Sequence, residues 1–122
     1  MRFVTPQLHR ILDFVTVVAF ALAPTIVPLA GFAAILAYAL AVVHLAVTLS
    51  TEFAGTGRRP LPLSGHGALE LMVGIALVVL PFLAGWMGRE RAFYLAAGAV
   101  ILVVFAVSQY RGERQASAGA AV

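Results

Sequence analysis

Neither cysteine nor lysine occurs among the 122 residues, and only 11% of them are charged. The lack of cysteine excludes disulfides, thiolate metal sites and thiol catalysis, and leaves the redox compartment open. The lack of lysine makes arginine the only cationic side chain. Its eight copies lie in short clusters between apolar runs, so there is no basic stripe for a nucleic acid. Aspartate occurs once, at Asp13, which excludes a paired-aspartate intramembrane protease. A glycine-rich phosphate loop, a nucleophile elbow and the HExxH spacing are all absent, and Ser50, Ser64 and Ser108 stand at helix ends without a matched base. No enzyme is expected.

What is present is apolar. Hydrophobic residues make up 62% of the chain, whereas soluble proteins devote about a quarter of their residues to charge. Four runs of about 18–20 residues each match a hydrocarbon core roughly 30 Å thick. The first, about 6–27, starts at Thr5-Pro6, a hydroxyl cap followed by a proline in the first turn, and has Pro24 and Pro28 near its far end. Gly31 marks a tight connection to the second, 32–50, in which Ala33, Ala37 and Ala41 recur every four positions. That spacing lets another helix approach closely in lipid. Residues 51–65 read as an extended linker, and Ser64 is placed to cap a third helix over about 65–84. Arg89, Glu90 and Arg91 fall in a loop before the fourth helix, 92–109; residues 111–122 read as a disordered tail. Four spans place both chain ends on one side. Six arginines there against Arg89 and Arg91 on the other predict cytoplasmic termini.

One ungapped offset organises the chain. His9 and His66, Asp13 and Glu70, and Pro24 and Pro81 are each 57 positions apart. The expected fold is therefore an all-α membrane protein of four transmembrane helices, formed by a tandem parallel repeat of a two-helix hairpin. Repeat one covers about 8–52, the linker 53–64 and repeat two about 65–110, all in one membrane domain over 1–110.

The offset also brings chemistry into register. In each copy a histidine precedes a carboxylate by four residues, so the two share a helix face. If helices one and three meet, His9, Asp13, His66 and Glu70 could form a first shell for zinc, iron or manganese, or the histidines could serve a haem; the same geometry suits a proton relay. The competing expectation, placed first, is structural. First-turn carboxylates favour the positive end of a helix, and near the headgroups Arg10, water or linker backbone would satisfy them. His44 belongs to one copy only and lies roughly 10 Å inside helix two, where bonding to Asp13, Glu70 or Thr48 is expected. Tyr38 and Tyr94 read as packing residues, and Pro24, Pro28 and Pro81 as makers of helix bends.

The stretch LPLSGHGALELMVGIALVVLPFLAGW, Leu61 to Trp86, resembles the SPW-repeat family of small bacterial integral membrane proteins. The likeness rests on the His, the Leu-acid pair, Gly74 and the terminal Pro-aromatic-Leu, and extends over roughly 8–110. In place of Ser-Pro-Trp the two copies carry Ala23-Pro24-Thr25 and Leu80-Pro81-Phe82. The resemblance implies the repeated hairpin and carries over no catalytic residue. The expected role is a structural or interaction component of the bacterial inner membrane, with the bilayer and a further copy or another membrane protein as partners. No cofactor is expected on that reading. Metal or haem binding, and a small transporter or proton-conducting subunit, are the alternatives.

Overall fold

A computed structural model describes residues 2–54 and 57–110, and the expected tail at 111–122 lies outside them. Four helices carry the chain: α1 Pro6–Ile26, α2 Phe32–Ser50, α3 Leu63–Leu83 and α4 Gly88–Val107. Each is long and apolar enough to cross a membrane, which marks the chain as a membrane protein. Large apolar side chains point outward, as bilayer requires: Val42 is 69% exposed, Met72 66% and Val103 60%.

Local chemistry sets the helix ends. Thr5 Oγ1 accepts the Leu8 amide at 3.2 Å with Pro6 in the first turn, the expected start of α1. Gly31 takes φ 59°, a turn that glycine adopts without a Cβ penalty. The third helix begins earlier than the sequence suggests. Extended Pro62 leads into Leu63, so Ser64 lies inside the first turn and caps nothing. The fourth helix likewise absorbs Arg89, Glu90 and Arg91, which are not a loop. Glu90 there sits at the positive end of the helix, and its carboxylate accepts the Ala30 amide at 3.3 Å. Pro24 and Pro81 each lie inside a helix, two residues before its end.

α1 packs along α2, and α3 along α4. Ala33, Ala37 and Ala41 are buried within the chain, so the small-residue stripe serves contacts inside the protein. Gly98 performs the same service for α3 and α4: a Cβ there would lie 2.9 Å from Gly74 O and 3.0 Å from Val78 N. Tyr94, fully buried, joins the hairpins by donating to Ala33 O at 2.6 Å. The core around it contains Phe20, Leu77 and Ile101.

Two backbone pairings close the end of the bundle where α1 and α3 begin. The linker does more than extend: β1 Thr51–Glu52 pairs in parallel with β2 Leu61–Pro62, Thr51 facing Leu61. Val4 bridges in parallel to Ser108, with Val4 N donating to Val107 O and Gln109 N to Val4 O, both at 2.9 Å. These pairings fold Thr51, Phe53, Ser108 and Tyr110 over the helix starts. What they cover is the polar centre of the molecule.

Candidate metal centre

His9 and Asp13 rise from the first two turns of α1, and His66 and Glu70 from those of α3. The spacing of four aligns each pair on one face, and the two faces meet. His9 and His66 are 0% exposed, Asp13 2% and Glu70 5%. They are thus far more deeply enclosed than a hydrated headgroup position, and among the described residues no hydrogen bond reaches them from Arg10 or the linker backbone. Each imidazole faces both carboxylates, and the shortest approaches run across the helices. His9 Nε2 lies 3.1 Å from Glu70 Oε1, and His66 Nε2 3.1 Å from Asp13 Oδ2. Within each helix the separations are longer, 3.4 Å for His9–Asp13 and 3.8 Å for His66–Glu70.

Hydroxyl groups hold the outer edges of both imidazoles. Ser108 Oγ lies 2.8 Å from His9 Nδ1, and Thr51 Oγ1 2.8 Å from His66 Nδ1. Thr51 fixes the position of one proton. Its single hydroxyl proton is donated to Val47 O at 2.6 Å, so its oxygen must accept from His66 Nδ1–H. A neutral His66 then turns a bare Nε2 lone pair on the Asp13 carboxylate. Among the described residues, His66 Nε2 and Asp13 Oδ2 are both buried and have only each other, 3.1 Å away, as a close partner in line for that lone pair. Two facing lone pairs repel in a low-dielectric interior unless a cation lies among them, and either a second proton on the imidazole or a bound metal ion supplies that positive charge.

The geometry suits such a cation. One ligand atom from each of the four residues falls within 4.8 Å of all the others. Ligands about 2.0–2.1 Å from a tetrahedral ion stand about 3.3–3.4 Å apart, and the four histidine–carboxylate separations, 3.1–3.8 Å, bracket that value. The hydroxyls behind the imidazoles stand where outer partners fix tautomer and ring orientation in known metal sites.

The other expected residues divide. His44 joins the group, its Nε2 3.3 Å from Asp13 Oδ1, while Thr48 stays out of it and donates to His44 O at 2.8 Å. Pro24, Pro28 and Pro81 lie toward the opposite end of the helices and touch none of it. Four participants escaped the sequence reading: Thr51, Ser108, Phe53 and Tyr110. Ser108, expected to stand without a base, has His9 as its partner. Tyr110 donates to Glu70 Oε2 at 2.5 Å, and burial together with that carboxylate holds its phenol well above its usual range. Phe53 and Tyr110 close the site with their rings, each centred 5.4 Å from an imidazole, His66 and His9 respectively. A signal for them existed. Thr51 and Ser108, and Phe53 and Tyr110, are also 57 positions apart.

No protein-family model, curated protein or solved structure matches the chain.

Proposed function

We propose that the chain is a metal-binding integral protein of the bacterial inner membrane, with His9, Asp13, His66 and Glu70 holding one divalent transition-metal ion. The observation that carries the reading is the convergence of one buried ligand atom from each of the four residues, all within 4.8 Å of one another, with His66 Nε2 and Asp13 Oδ2 only 3.1 Å apart. Two neutral imidazoles and two carboxylates exactly balance a dication in charge, and mixed nitrogen and oxygen donors suit zinc, iron or manganese. A haem is a poorer fit. The cavity beside His44, His66 and Glu70 measures about 90 Å³, whereas pockets for drug-sized ligands run to about 300–1,000 Å³. The proposal assigns binding and no catalytic step.

The same reading includes a tandem parallel repeat of two hairpins, as the likeness to the SPW-repeat family implies. Several exchanges support it. The offset that carries His9 to His66 carries Thr51 to Ser108, so each imidazole has a hydroxyl from the other half of the equivalence. It also turns the Thr51–Leu61 pairing into Ser108–Val4, and Gly31 into Gly88, with φ 59° and 60°. Arg2, Arg10, Arg58 and Arg59 at the site end support cytoplasmic termini. A further copy or another membrane protein would dock on a face other than the buried Ala33–Ala41 stripe.

The test is elemental. Full-length protein purified in detergent, stripped with chelator and reloaded separately with zinc, manganese or ferrous iron should retain about one ion per chain after desalting. A wild-type protein that retains none of the three overturns the proposal. His66→Ala and Glu70→Gln should each abolish retention, read alongside helical content so that an unfolded variant is recognised.

A further inference from the structure

A cleft of about 930 Å³ opens at the site end, where α1 and the close of α2 meet the linker. Its lining is of two kinds. Ile11, Phe14 and Leu49 form an apolar wall, and Ile11 and Leu49 are 60% and 48% exposed. Above them stand Arg10 of α1 and Arg58 and Arg59 of the linker, brought together from 48 positions apart.

Specific bonds shape the basic side. The Arg59 guanidinium donates to Leu49 O in the last turn of α2, where carbonyls lack helical partners. Glu52, the one carboxylate lining the cleft among the described residues, accepts the backbone amides of Arg58 and Arg59 at 2.7 and 3.0 Å. The linker is thereby turned so that both arginines border the cleft. Arg10 lies over the Phe14 ring, 5.8 Å from its centre, at the junction of the basic and apolar walls.

We infer that this cleft binds an anionic phospholipid, its phosphate under Arg10, Arg58 and Arg59 and an acyl chain along Ile11 and Phe14. Guanidinium groups match phosphate oxygens in a bidentate fork, and basic pockets at the ends of membrane helices select anionic headgroups. The apolar wall decides between sources of the same charge. A free phosphate would leave Ile11, Phe14 and Leu49 facing water, whereas a lipid covers them. The inference is independent of the metal, although Thr51 and Phe53 line the cleft on one side and contact His66 on the other.

The experiment is native mass spectrometry of the full chain in detergent, titrated with phosphatidylglycerol and with phosphatidylcholine of identical acyl chains. Phosphatidylglycerol should bind at least about tenfold more tightly, and Arg58→Gln/Arg59→Gln should weaken it by about 10- to 30-fold. Arg10→Gln, whose side chain bonds no backbone group among the described residues, should act in the same direction, and Arg89→Gln at the opposite end should leave binding unchanged. Equal binding of the two lipids, or full phosphatidylglycerol binding by both the double variant and Arg10→Gln, overturns the inference. So does complete displacement of the lipid by an equal concentration of inorganic phosphate.

Discussion

The two ends of the bundle are held together by different physics. At the far end, Phe20, Leu77 and Tyr94 meet in an apolar core with Phe93 and Trp86 packed against it. Apart from the Tyr94–Ala33 hydrogen bond, its strength is a sum of many small, non-directional contacts. At the site end the hairpins meet through His9, Asp13, His66 and Glu70, each contact directional and each partner buried. In a bilayer this difference has a physical cause. Lipid is as apolar as leucine, so burying apolar side chains gives helices little reason to associate there, and close packing and polar contacts must supply it. An apolar end can relax around a lost methyl group. A polar end left with one unpaired charge cannot.

The sharpest way to break the comparison is to remove one polar partner. His66→Ala removes the contact from Asp13 across the hairpins, leaving His9–Glu70 as the one ionic contact between them among the described residues, and should cost about 3–5 kcal/mol, with loss of metal retention. Reversible unfolding in mixed micelles, followed by circular dichroism, measures the cost. A loss below about 1 kcal/mol in the metal-free protein would show that the site end is not held by its polar contacts.

The matched change at the helix crossing is Gly98→Ala. Its new Cβ would meet Val78 Cγ2 at 2.7 Å and Gly74 O at 2.9 Å, forcing α3 and α4 apart. Overpacking of this kind costs about 1–3 kcal/mol. Metal retention should survive, because neither contact belongs to the site. Loss of metal in a folded Gly98→Ala protein would mean that the two regions are mechanically coupled.

Thr51→Val acts behind the ligands and separates their orientation from their identity. Valine preserves shape and removes the acceptor for His66 Nδ1–H, at a cost of about 1–2 kcal/mol. Loss of an outer-shell partner typically lowers metal affinity about 10- to 100-fold, with stoichiometry retained, which isothermal titration would resolve. Unchanged affinity would remove Thr51 from the site and with it the argument about the His66 tautomer.

The contrast between the ends was only half legible in the sequence. Apolar run lengths, the Thr5-Pro6 start and Gly31 locate α1 and α2 almost to the residue, because these are local signals. The 57-residue register places the two histidines and two acids together in sequence terms. What could not be read was their depth. Helix-start residues look wet when each helix is taken alone, and the cover over them comes from pairings such as Val4 with Ser108, 104 positions apart. No local periodicity reports such a pairing. The reassigned starts of α3 and α4 have a related cause: Pro62 and Met87 are extended residues that end loops without any side-chain cap to announce it.

Tyr110 tests the smallest difference, the one between the two carboxylates within the site. Asp13 has a third imidazole, His44, at 3.3 Å, whereas Glu70 has the Tyr110 phenol at 2.5 Å. Tyr110→Phe removes that donor but leaves Glu70 Oε1 facing His9, so a cost of about 0.5–1.5 kcal/mol is expected at pH 8. The sign of its pH dependence follows from the raised pKa of the phenol. A proton held more tightly in the folded state than in the unfolded one stabilises the fold in full below the unfolded-state pKa, about 10 for tyrosine. Above that value the advantage declines as pH rises toward the folded-state pKa. The gap between wild type and Tyr110→Phe should therefore stay constant from pH 7 to 9 and narrow only in stronger alkali. A gap that closes already near neutrality would mean that Glu70 is not held as a carboxylate by the phenol, and the two halves of the site would then differ through His44 alone.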